Sequence, residues 1–85
     1  MNAILRTPRV LAIDDDILWL EQIPEILAGI ADVVPCNAID DAFALLEAEC
    51  FDIVLLDLNF KGDVRSGLEV FRQIFSMNRD RKSVV

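Results

Sequence analysis

Apolar residues in this chain fall into two kinds of run. Val10-Leu11-Ala12-Ile13 is short and continuous and ends in three acids, and Phe51 to Leu56 (FDIVLL) is similar and ends at Asp57. Runs without alternation suit strands buried on both faces, as in parallel sheets. Between them the spacing changes to that of helices. Leu20, Ile23, Leu27 and Ile30 form one apolar line behind Asp16, a good N-cap, and Gly29 suits a C′ stop. Pro24 inside this line removes a backbone bond and should kink the helix. Asp32 to Cys36 (DVVPC) reads as a strand, and Pro35, which cannot donate to a ladder, assigns it to a sheet edge.

A second helix follows, with Asn37 as its expected cap, Asp40 and Asp41 in its first turn, and Ala42, Leu45 and Leu46 facing inward. Beyond Asp57 the stretch Asn59 to Arg65 is irregular. Ser66 and Glu69 have capping-box spacing and open a third helix, whose expected buried face is Leu68, Phe71, Ile74 and Phe75. Asn78 to Lys82 reads as a polar loop and Ser83-Val84-Val85 as the opening of a further strand. The order β-α-β-α-β-α-β predicts a single α/β domain over residues 1–85, with a parallel sheet and right-handed crossovers.

Composition narrows the chemistry. The chain has 85 residues and a net charge of −7, from 15 acids against 8 bases. Such a surface repels phosphates, which argues against direct nucleic-acid binding. The late bases Arg72, Arg79, Arg81 and Lys82 read as a solvated group. No run approaches the length of a membrane span, and the stretch before Asp14, despite Arg6 and Arg9, has no apolar core of signal-peptide length. There is no histidine, and Cys36 and Cys50 have no CxxC spacing, so zinc is excluded; both thiols suit a reducing cytosol. Chemistry in this chain has to run on carboxylates.

Those carboxylates converge by topology. If the proline strand is an edge, the first and third strands are neighbours in the order 2-1-3. Ligands in such sheets bind beyond the carboxyl ends of strands, where strand order reverses. Asp14 and Asp15 end the first strand and Asp57 the third; Asp16 is read as a cap and Asp52, at the opposite end, as a solvated residue. Clustered carboxylates call for a cation, and oxygen-only donors with room for phosphate select Mg²⁺. A carboxylate can also attack a phosphoryl group. Asp57 is therefore the candidate nucleophile, and Asp14 and Asp15 are the candidate metal holders. Trp19 and the phenylalanines read as packing, and Gly62 and Gly67 form no phosphate loop.

VLAIDDD (Val10 to Asp16), NAIDDAFALLEAECFDIVLLDLNF (Asn37 to Phe60) and SGLEVFRQI (Ser66 to Ile74) together resemble the receiver domain of two-component response regulators. The resemblance runs from Val10 to Val85. It implies a flavodoxin-like parallel sheet, in family order 2-1-3-4-5, here incomplete after the third helix. It implies a cytoplasmic, non-enzymatic phosphoacceptor of a phosphorelay, with Asp57 taking a phosphoryl group from a sensor histidine kinase or a histidine phosphotransfer protein. It also implies Mg²⁺ held by Asp14, Asp15, Asp57 and the backbone carbonyl of Asn59.

Two departures stand out. Lys61 to Arg65 looks like an insertion in the loop after Asp57. The chain also stops as the fourth strand opens, before the family's switch hydroxyl and its phosphate-pairing lysine. An open strand edge then invites dimerisation or strand exchange. The alternative reading is a binding module that keeps the fold without switching. A haloacid-dehalogenase-like phosphatase fits less well, because the position two residues past the nucleophile holds Asn59 instead of an aspartate.

Overall fold

The computed structural model describes residues 7–61, 65–77 and 83–84. Residues 62–64 of the expected insertion Lys61 to Arg65, the polar loop at 78–82 and Val85 lie outside them. The elements are β1 (Arg9–Ile13), α1 (Ile17–Ile26), β2 (Asp32–Cys36), α2 (Ile39–Ala48), β3 (Ile53–Leu56), α3 (Gly67–Met77) and β4 (Ser83–Val84). They form one parallel sheet in the order β2-β1-β3-β4. β2 is an edge, as Pro35 requires. Asp32 donates its N–H to Pro8 and the Cys36 carbonyl accepts from Asp14, so the backbone groups of residues 32, 34 and 36 face β1. By strand alternation Pro35 then points its missing donor to the open side, where its absence costs no ladder bond.

Helices cover the two faces unequally. On one face Leu11, Ile13, Val54 and Leu56 meet Ile39, Ala42 and Leu46 of α2, Val70 and Ile74 of α3, and Phe51. On the other, Ala12 meets Leu20 and Ile23 of α1, with Leu27, Val33 and Leu55 partly covered. At the amino end of the sheet Arg9 ties the layers together. Its guanidinium reaches Glu49 at 2.7 Å and the Cys50 carbonyl at 3.3 Å and lies 4.8 Å from the Phe51 ring centroid. Its backbone N–H donates to Asp52 Oδ2 at 2.8 Å, so Asp52, although exposed, fixes the start of β3.

Three helix readings need correction. First, α1 caps at Asp16, whose Oδ1 accepts from Leu18 and Trp19, and it runs through Pro24, but it stops at Ile26. Tight bonds from Ala28 to Glu25 and from Ile30 to Leu27 follow, and Gly29 takes a left-handed φ of 80°. The helical wheel therefore does not extend to Ile30, which is 65% exposed. Second, α2 has Ala38, not Asn37, at its N-cap, with no side-chain cap bond. Third, α3 turns Val70 and Ile74 inward, while Leu68 and Phe75 are 55% and 51% exposed. The cause is Gly67: an added Cβ there would lie 2.2 Å from the Leu58 carbonyl oxygen. Gly67 is thus the first residue of the inward line 67, 70, 71, 74, which is shifted one residue from the line starting at Leu68.

Candidate functional site

Parallel pairing brings the acids together. Ile13 pairs with Leu56 and with Cys36, so the next residue of each strand emerges at the same edge of the sheet. Two bonds hold those residues in place: Asp57 donates its N–H to the Ile13 carbonyl at 3.0 Å, and Asp14 donates its own to the Cys36 carbonyl at 3.1 Å. Carboxylate oxygens of Asp14, Asp15 and Asp57 lie within 4.8 Å of one another, and all three residues are half-buried. The structure thus juxtaposes the three acids singled out from the sequence, at the strand-order reversal between β2-β1 and β3.

Local turns orient each carboxylate. Asp16 N–H donates to Asp14 Oδ1 at 2.9 Å, and Asn59 N–H donates to Asp57 Oδ1 at 2.9 Å. Each is an Asx turn closing onto a strand end. Asp15 Oδ2 accepts from the Lys61 backbone N–H at 3.0 Å, which joins the loop after β3 to the end of β1. No sequence feature marks this bond, because a backbone donor has no residue signature. Nor does any show Trp19, 41% exposed, lining with Asp14, Leu55 and Asp57 a cleft of about 230 Å³. Gly67 belongs to the SGLEVFRQI stretch that carries the family resemblance. It lets α3 close onto the backbone of Leu58, between the nucleophile candidate and Asn59.

The electrostatics separate the three acids. Burial raises the pKa of Asp14, and the adjacent Asp57 and Asp15 add to the rise against the opposing Asp16 N–H bond. The Lys61 N–H bond holds Asp15 below the ordinary carboxylate range. Among the described residues no Lys or Arg forms an ion pair with any of the three. Three clustered oxygen donors with one proton-prone member and no cationic side chain match the donor chemistry of a hard divalent cation.

No protein-family model matches this sequence. No curated protein matches it. Solved structures do. An adenylate cyclase from Rhodopirellula baltica matches with a TM-score of 0.79 at 22% identity, over 92% of this chain and 57% of its own. The response regulator TrrA from Thermotoga maritima, in complex with Mg(2+)-BeF, matches with a TM-score of 0.78 at 26% identity, over 93% of this chain and 68% of its own. A response regulator from Burkholderia pseudomallei with a phosphorylated aspartic acid, calcium ion and citrate matches with a TM-score of 0.78 at 25% identity, over 91% and 45%. This chain therefore has the flavodoxin-like receiver fold of response regulators. It spans 57%, 59% and 65% of the length of three of the solved chains that match it. Among the described residues no helix is long and apolar enough to cross a membrane.

Proposed function

We propose that this chain is a phosphoacceptor module of a two-component phosphorelay, acting in the cytoplasm as a signalling domain and not as an enzyme. The observation that carries this reading is the meeting of Asp14, Asp15 and Asp57 within 4.8 Å at the strand-order reversal. Two solved structures of the same fold, one carrying Mg(2+)-BeF and one a phosphorylated aspartic acid with calcium, support it.

Asp57 is the nucleophile. One of its carboxylate oxygens attacks the phosphorus of a phosphohistidine on a sensor histidine kinase or a histidine phosphotransfer protein. The P–N bond breaks, its electron pair stays on the imidazole nitrogen, which takes up a proton, and an acyl phosphate remains on Asp57. Asp14, Asp15, Asp57 and the Asn59 carbonyl would hold Mg²⁺, which when bound neutralises charge on the phosphoryl oxygens. The Asn59 N–H bond to Oδ1 of Asp57 fixes the carboxylate's rotation and leaves the other oxygen for attack. The Lys61 N–H bond to Asp15 Oδ2 holds that carboxylate in place and favours its ionised form.

The test is intact mass after incubation with Mg²⁺ and a small phosphodonor such as acetyl phosphate, with Asp57→Asn as control. One added phosphoryl group in the parent chain alone is expected. No addition to a chain that circular dichroism shows folded would overturn the proposal. It would favour the second reading, a binding module that keeps this fold without switching.

A further inference from the structure

Two exposed surfaces of this molecule, neither of them part of the acid site, match each other. The first is a groove at the β2 edge, of about 540 Å³, walled by α1 and α2. Leu20, Pro24 and Leu45 give it an apolar lining, and Cys36 is buried beneath. Glu21 on the α1 wall and Asp41 on the α2 wall are its charged residues; no base lines it. The open edge adds acceptors without donors at Pro35, which has a carbonyl and no N–H. The groove thus offers an apolar floor between two negative walls, a volume within the range of ligand pockets.

The second surface is the outer stripe of α3. Leu68, Arg72 and Phe75 stand at i, i+4 and i+7, all exposed, along about 10 Å of helix. The stripe carries two large apolar side chains with one guanidinium between them, and Arg72 has no ion pair among the described residues. An apolar stripe with a central cation complements an apolar groove with two acidic walls in both shape class and charge. α3 packs beside α2 and β4, toward the sheet edge opposite β2, so stripe and groove of one molecule do not reach each other.

We propose that the occupant of the α1–β2–α2 groove is α3 of a second copy of this chain, with Leu68 and Phe75 on the groove floor and Arg72 between Glu21 and Asp41. Because the two surfaces lie at opposite edges, the contact is head-to-tail. It continues from copy to copy unless a ring closes. The net charge of −7 repels copies from one another, so association is weak and needs high protein concentration. This contact differs from strand exchange at the sheet edge, because it uses side chains of three helices and no ladder bonds.

Sedimentation velocity over a concentration series tests it with two variants whose altered residues are all exposed. One is Glu21→Lys with Asp41→Lys, which closes the groove to Arg72. The other is Leu68→Ser with Phe75→Ser, which removes the anchors. The parent chain should sediment faster with concentration and pass beyond the dimer. Each variant alone should stay monomeric over the same series. A mixture of the two should form a one-to-one complex and nothing larger, because one intact groove and one intact stripe remain. A monomeric parent at the highest soluble concentration would overturn the proposal. So would variants that associate as the parent does, which would point to the strand edge, or a mixture that behaves as two monomers.

Discussion

The two faces of the sheet are built to different standards. On the α2–α3 face, large side chains from β1, β3 and both helices close around Phe51, Val54 and Ile74, all 2% exposed or less. On the α1 face a single helix lays Leu20 and Ile23 over Ala12, and much of the α1 surface stays apolar and exposed, at Ile17, Leu18, Trp19 and Ile26. The thick face holds the fold, and the thin face leaves room beside the acids. Cavity cost scales with how many neighbours stay behind, so the same truncation should read differently on each side.

The largest expected effect tests that contrast. Phe51→Ala should cost about 3 to 5 kcal/mol of stability, a large part of what so small a chain can have, whereas Leu20→Ala should cost about 2. Equal losses in chemical denaturation would remove the distinction between the faces. Next comes Gly67→Ala on α3. Its Cβ meets the Leu58 backbone at 2.2 Å and cannot be relieved by a flexible side chain. Overpacking of about 1 to 3 kcal/mol is expected. Phosphorylation of Asp57 should fall further than the folded fraction does, because the backbone that must give way adjoins both Asp57 and Asn59. If labelling tracks folded fraction alone, the helix does not position the site.

Smaller is the effect of Asp14→Asn, at the rim where the faces meet. The folded-state pKa of Asp14 is raised, chiefly by burial. An acid with a raised pKa costs the fold more as pH climbs through that range, so at neutral pH its ionised form destabilises. The variant should melt at a higher temperature than the parent at pH 7 without divalent cation, and the gain should vanish in acid. In Mg²⁺ the order should reverse, as only the parent gains from the ion. A gain that persists in acid would show that ionisation of Asp14 is not its source. The smallest effect belongs to the capping box, where Ser66 Oγ accepts from Glu69 N–H at 3.1 Å and Glu69 Oε1 accepts from Ser66 N–H at 3.2 Å. Ser66→Ala should cost about 1 kcal/mol by thermal melting.

What the sequence disclosed and what it hid follow one line. Strand limits and topology were legible because Pro35 could occupy only an edge and because unbroken apolar runs ended in acids. From that order alone Asp14, Asp15 and Asp57 had to converge, and they do. Residues in special backbone states were harder. Reading α3 by size chose Leu68 and Phe75, whereas the buried line begins at a residue with no side chain. Ile30 looked helical because periodicity does not announce where a turn breaks it. The Lys61 to Asp15 bond was invisible for the same reason, since any residue carries that donor.

Trp19 is the single tryptophan of the chain. It shares a cleft wall with Asp14 and Asp57 while remaining partly open to water. An indole so placed senses the charge and hydration of its surroundings, and no second indole masks it. The molecule thus carries its own optical probe, and whatever charge arrives at the carboxylates is readable as emission from the native chain, with no dye or tag.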